Sequence, residues 1–254
     1  MKKKALITGA SDGIGRAFAQ RLAKEGYQVI GVARNEEKLK KVFLSLEGKE
    51  HSYVIADLSN PSDIKKIENL ILKEKLDLLV NNAGHGLLGE FDKTSLDKIQ
   101  SMVRLNCDAL LALSHAFLAT AKSGDAIINV SSAIAFLPSP SSAVYAATKA
   151  FVLFLSEALW FEQKNKGVYV LALCPGVTMS NFHVMSGGGN HNKPLAAISQ
   201  KPDEVVELAI TALRERKEPT IISGIQNEFT VCTTKFMPRK ALINMAGNFL
   251  SIKK

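Results

Sequence analysis

The chain has 254 residues, 46% hydrophobic, 22% charged and 7% aromatic, with a formal charge of +8. That composition excludes a disordered chain, a collagen-like repeat and a disulfide-stapled miniprotein, and a chain this long buries roughly 70–75% of its unfolded surface unaided. Lys2, Lys3, Lys4, Lys235, Arg239, Lys240, Lys253 and Lys254 equal the whole basic excess, so residues 5–234 are balanced, which argues against nucleic acid as a partner.

Short runs rich in Val, Ile and Leu begin almost at the first residue, at 5–8, 28–33, 53–56, 76–81, 126–131, 168–174 and 220–223. They do not alternate with polar residues, as expected of strands covered on both faces. Helical patterns fall between them, near 13–25, 35–46, 61–74, 95–121, 143–165 and 202–216. Strands separated by helices imply right-handed crossovers and a doubly wound parallel α/β sheet of about seven strands, Rossmann-like, in a single domain over 1–254. A long segment at 181–200, with Gly187, Gly188 and Gly189 in a row, reads as a lid or binding loop, or else as disorder. A basic tail at 235–254 carries Leu242, Met245, Ala246 and Phe249 at helical spacing after Pro238.

Cys107, Cys174 and Cys232 are widely spaced and odd in number, so no disulfide framework or zinc spacing is present and a reduced, cytoplasmic compartment is expected. The apolar stretch after the N-terminal lysines is too short for a signal peptide, and no run approaches the 18 or so residues of a membrane span. His183 and His191 have no partner at ligand spacing, so no metal is expected.

The first strand runs straight into Thr8-Gly9-Ala10-Ser11-Asp12-Gly13-Ile14-Gly15, followed at once by a helix. Glycines at that junction let the backbone approach a pyrophosphate at the helix N-terminus. The same residues form a literal G-x-S-x-G, so a serine hydrolase using Ser11 is a rival, although that fold builds several strands before its nucleophile. After the second strand stands Arg34 rather than an acid. An arginine there suits the 2′-phosphate of NADP(H) over NAD(H).

With Asn81-Asn82-Ala83-Gly84 after the fourth strand and Tyr145-x-x-x-Lys149 later, the chain resembles the short-chain dehydrogenase/reductase family, in its single-domain branch, over roughly residues 4–223. The resemblance implies an oxidoreductase that moves a hydride between a nicotinamide and a carbonyl or alcohol carbon. It implies Ser132, Tyr145, Lys149 and Asn106 as catalytic residues. Gly9, Ser11, Asp12, Gly13, Ile14, Gly15, Arg34, Asp57, Leu58, Asn81, Ala83, Gly84, Pro175, Gly176, Val177 and Thr178 are implied around the cofactor, with Tyr145 and Lys149. Asp12 departs from the small or basic residue common at its position and weakens the NADP preference. A further hydroxyl falls on Ser180 or Thr178.

Tyr145 and Lys149, at i and i+4, share a helix face, and a lysine ammonium beside a phenol is expected to lower its pKa. Asn106 is expected to hold a water connecting Lys149 to solvent. Gly86-Leu87-Leu88, 133–138 and 182–185 are mostly apolar, which points to a hydrophobic ketone or aldehyde. The helix over 147–161 is apolar nearly all round, so a homo-dimer or homo-tetramer is expected, with cover by lid or tail as the alternative. The tail has three readings: packing on its own subunit, completing an oligomer, or resting on anionic lipid. A cofactor-binding regulator without catalysis is the remaining rival.

Overall fold

A computed structural model describes residues 2–179, 186 and 199–250. Every strand pairing is parallel. The strands are β1 (Lys4–Thr8), β2 (Gln28–Ala33), β3 (Ser52–Ile55), β4 (Leu78–Asn81), β5 (Ala126–Val130), β6 (Tyr169–Cys174) and β7 (Thr220–Ile222), in the order β3-β2-β1-β4-β5-β6-β7. Each expected strand is present, shifted by two residues at most.

Around the sheet lie α1 (Gly13–Lys24), α2 (Glu36–Leu44), α3 (Pro61–Lys73), α4 (Leu96–Val103), α5 (Ala109–Thr120), α6 (Ala143–Glu162), α7 (Pro202–Glu215), α8 (Ile225–Thr234) and α9 (Arg239–Leu250). Their starts follow local chemistry. The Asn35 side chain accepts from Lys38 N at 2.9 Å, and Pro61 and Pro202 open α3 and α7, where a missing N–H is harmless.

Successive strand residues serve opposite faces. Ala5 and Ile7 pack with Phe18 and Leu22 of α1, Leu39 of α2 and Val206 and Ile210 of α7. Leu6 faces the other way, among Ile67 and Ile71 of α3 and Leu113 and Phe117 of α5. Burial on both faces explains why the strands read as unbroken apolar runs.

Three features differ from the expectations. The single helix over 95–121 is interrupted by a π turn, Arg104–Asp108, so it reads as α4 and α5. The stretch after β7 forms α8, whose weak amphipathic pattern hid it. Leu96–Thr120 and Ala143–Glu162 are long and apolar enough to cross a membrane by length and composition, although both pack against the sheet. The tail pattern is α9, which lays buried Leu242 and Ala246 on its own subunit.

The strand order reverses between β1 and β4. Loops leaving the carboxyl ends of those two strands therefore diverge and leave a crevice, the usual ligand position in open α/β sheets.

Candidate active site

The turn after β1 is fixed by its glycines. Gly9 has φ +68°, and a Cβ there would lie 2.7 Å from Asn82 Nδ2, while one on Gly15 would lie 2.2 Å from the Gly9 carbonyl oxygen. No larger side chain fits either position. The turn is tied to the loop after β4 by Asn82, whose Nδ2 donates to the Thr8 and Gly9 carbonyls, and by Thr8 Oγ1, which accepts from Asn82 N and Ala83 N. Thr8 and Asn82 thus clamp the two sides of the crevice. Neither had been singled out, though both stand inside the motifs. Ile14 packs against the core, and Ser11 makes no side-chain hydrogen bond among the described residues.

Asp12 caps α1, its Oδ1 accepting from Gly13 N at 2.7 Å, and its other oxygen lies 3.9 Å from Lys38 Nζ. Lys38 therefore offsets the misplaced acid. Arg34 is half-exposed, 3.5 Å from Asp57. Burial pushes the Asp57 carboxyl up, but the N–H and hydroxyl of Ser59 and the Arg34 charge outweigh it and hold the group below the ordinary range. The Leu58 side chain is buried in the core, where it anchors the loop that carries Asp57.

The Asn81 side chain is turned into the sheet. It is buried, and its Nδ2 donates to Ser114 Oγ and Asn129 Oδ1. Asn129 Nδ2 passes the ladder to Ser156 Oγ, so a polar row links α5 through β4 and β5 to α6. A fully buried asparagine inside an apolar strand was the available signal for this row.

At the ends of β5 and β6 the catalytic candidates converge. Ser132 follows β5, and its hydroxyl donates to the Pro175 carbonyl at 3.3 Å and accepts from Ile134 N at 3.4 Å. Lys149 is buried one turn below Tyr145, with Nζ 5.8 Å from the ring centroid and donating to the Val130 carbonyl at 2.9 Å. Ser131, unmarked by the sequence reading, donates to the Lys149 carbonyl at 2.7 Å and holds α6 to the strand end.

Burial raises the Tyr145 phenol above its usual 10, with the neighbouring Ser132 hydroxyl pulling the other way. The expected net lowering is not seen: burial outweighs any pull from Lys149, whose ammonium donates to the Val130 carbonyl. Burial also brings Lys149 down from 10.5 to about 8.

Asn106 lies in the π turn, where such irregularities often mark functional sites. Its Nδ2 donates to the His85 carbonyl and to Thr148 Oγ1, and its Oδ1 accepts from His85 N. Both Nδ2 hydrogens are committed, so the side chain fastens the loop after β4 to α6. Gly84 sits between Asn106 and Lys149: a Cβ there would be 3.0 Å from Asn106 Oδ1 and 3.5 Å from Lys149 Nζ.

Pro175 and Gly176 complete the rim. A Cβ on Gly176 would meet Asn227 Nδ2 at 2.1 Å. Val177 and Thr178 pair with Gln200, and the Thr178 hydroxyl donates to the Gly176 carbonyl. Ser180, His183, His191 and all of the expected lid except Ser186, Ser199 and Gln200 lie outside the described residues. No metal-binding group of three or more His, Cys, Asp or Glu side chains occurs among the described residues.

The model of the short chain dehydrogenase family matches residues 3–187, which hold the glycine turn, Ser132, Tyr145 and Lys149. The chain belongs to this family. It is 32% identical over 234 residues to a 7beta-hydroxysteroid dehydrogenase of Mediterraneibacter gnavus, covering 89% of this chain and 88% of the relative. A short-chain dehydrogenase from Sphingobium yanoikuyae in complex with NADPH superposes with a TM-score of 0.81 at 28% identity, over 99% of this chain and 97% of that one. A short-chain dehydrogenase/reductase from Burkholderia phymatum in complex with NAD gives 0.80 at 25% identity, over 91% and 92%. As a short-chain dehydrogenase, the chain is an oxidoreductase that uses a nicotinamide cofactor and a small-molecule substrate. The crevice fits such a group: the turn at the α1 N-terminus is stripped of side chains, and Arg34 flanks it at the end of β2.

Proposed function

We propose that this short-chain dehydrogenase is an NADP(H)-dependent carbonyl reductase of a hydrophobic ketone or aldehyde. One observation carries the reading: Ser132, Tyr145 and a buried Lys149 converge at the ends of β5 and β6, beside the crevice that the glycine turn opens. When bound, the nicotinamide supplies the hydride. Burial keeps the Tyr145 phenol protonated at neutral pH, so Tyr145 can give its proton to the carbonyl oxygen as negative charge builds there. Ser132 redirects its hydroxyl to the same oxygen. The Lys149 ammonium lies close enough to favour the phenolate that remains. Asn106 is a positioning residue, through His85 and Thr148.

Arg34 supports NADP(H), because a half-exposed guanidinium in a 3.5 Å pair can turn to a phosphate. Lys38 against Asp12 reduces the repulsion that the acid would exert. The Sphingobium relative, in complex with NADPH, supports the same choice. The name of the Mediterraneibacter relative, a hydroxysteroid dehydrogenase, supports a bulky apolar substrate. Three free cysteines are in keeping with a reducing cytoplasm, and burial pushes the Cys107 thiol up to about 11 and Cys174 up to about 12, which makes those two unreactive.

The test is NADPH oxidation with a panel of apolar ketones and aldehydes. Tyr145→Phe is expected to bind NADPH as the parent does while turnover falls by a factor of about 10² or more. Undiminished turnover would remove Tyr145 as proton donor and with it this reading.

A further inference from the structure

Helix α8 has two unlike faces. On the inner one Val231 and Thr234 are buried, and Asn227, whose Nδ2 donates to the Ser223 carbonyl at 2.6 Å, lies against Gly176 on the rim of the crevice. Opposite them Ile225, Phe229, Cys232 and Phe236 recur at intervals of four, three and four residues, which sets them on one stripe. The turn after α8 continues that stripe, since Lys235 N and Phe236 N donate to the Cys232 and Thr233 carbonyls. Ile225 is 82% exposed, Phe229 71% and Phe236 84%, and Cys232 is exposed as well. Side chains standing this far out contribute little to the core of their own chain, and a contiguous apolar patch of this kind marks an interaction site.

The stripe has a basic border. Lys235 stands next to Phe236, Arg239 and Lys240 open α9, and all three are exposed. Lys235 and Arg239 line one cavity where the two helices meet, so their charges are neighbours. None of the three is in an ion pair among the described residues. From Phe229 to the C-terminus the sequence holds Lys235, Arg239, Lys240, Lys253 and Lys254 and no acid, and Glu228 is the one acid on α8. While Leu242 and Ala246 of α9 are buried on the subunit, Ile243 and Met245 remain exposed.

We propose that this surface, Ile225, Phe229 and Phe236 bordered by Lys235, Arg239 and Lys240, docks the protein reversibly on an anionic lipid bilayer. The apolar side chains enter the boundary between headgroups and acyl chains, and the cations stay among the anionic headgroups. Either part alone binds a membrane weakly, and the two coincide at one corner of the molecule. A second copy of the chain is a poorer occupant. A two-fold contact would set the patch against itself, three cations facing three, with Glu228 as the only acid of α8 to offset them. A purely ionic partner would leave the phenylalanines in water.

The experiment is co-sedimentation of the full chain with vesicles of phosphatidylcholine alone and of phosphatidylglycerol and phosphatidylcholine in equal parts. The parent is expected to bind the mixed vesicles about tenfold or more tighter than the neutral ones, and to lose that advantage at high salt. At roughly fivefold per cation, K235Q/R239Q/K240Q should bind the mixed vesicles about 100-fold more weakly. F229S/F236S should bind them about tenfold more weakly. All five replaced side chains are exposed, so the fold is not at stake. No binding by the parent, equal binding to both vesicles, or full binding retained by either variant would overturn the proposal. Self-association that F229S/F236S abolishes, with no vesicle binding, would overturn it in favour of a contact between copies.

Discussion

Lys149 shows what the site costs the fold. Its ammonium is buried, with one hydrogen bond to the Val130 carbonyl, and burial lowers its pKa from 10.5 to about 8. The folded chain therefore releases this proton near pH 8 while the unfolded chain keeps it to about 10.5, so stability rises with pH between those values. Below about 8 the folded state carries a penalty of roughly 3 kcal/mol. Lys149→Met removes that penalty and loses a hydrogen bond worth about 1 kcal/mol. It is expected to melt a few degrees higher at pH 7, to lose the rise in stability above pH 8, and to have no turnover. A lower melting temperature at pH 7, measured by calorimetry, would contradict this account of the lysine. Reduction by the parent should itself decline as pH rises through about 8.

At this scale the sequence marked Tyr145, Lys149 and Ser132, since each stands at a motif position set by a strand end or a helix turn, and the structure brings the three together. It could not reveal that Lys149 turns to Val130, that Asn81 is bound within the sheet, or that Leu58 is core. Those depend on which of two neighbouring polar groups a buried side chain reaches, and spacing carries no such information.

Among the elements, α6 presents a broad apolar face that the described residues leave uncovered. It presents Phe154 at 67% and Phe161 at 72% exposure, with Phe151 beside them and Leu111 exposed on α5. Apolar area of this kind is normally covered in a stable assembly. We infer that α6 pairs with a second copy of the chain. Light scattering on the purified protein should give a dimer or tetramer, and Phe154→Glu with Phe161→Glu should give a monomer. A monomeric parent would contradict the inference. The apolar pattern of α6 was evident from the sequence, whereas the π turn before α5 was not, because one extra residue per turn leaves the hydrophobic spacing of a long helix almost unchanged. Helix α8 escaped for the opposite reason, with Ile225 and Phe229 exposed on a segment that has little periodic pattern.

For the whole molecule, the apolar runs foretold the layered sheet because both of its faces are covered, and the order β3-β2-β1-β4-β5-β6-β7 then dictates where the crevice opens. Thr8 and Asn82 join its two walls, and Ser132, Tyr145 and Lys149 line up at the neighbouring strand ends. That arrangement suits a nicotinamide cofactor, and in the function proposed above Arg34 selects which one. Calorimetric titration with NADPH and with NADH, on the parent and on Arg34→Asp, tests this directly. The account predicts tighter binding of NADPH by about tenfold or more in the parent, with the preference lost or reversed in the variant. Binding of neither cofactor by the parent would contradict it.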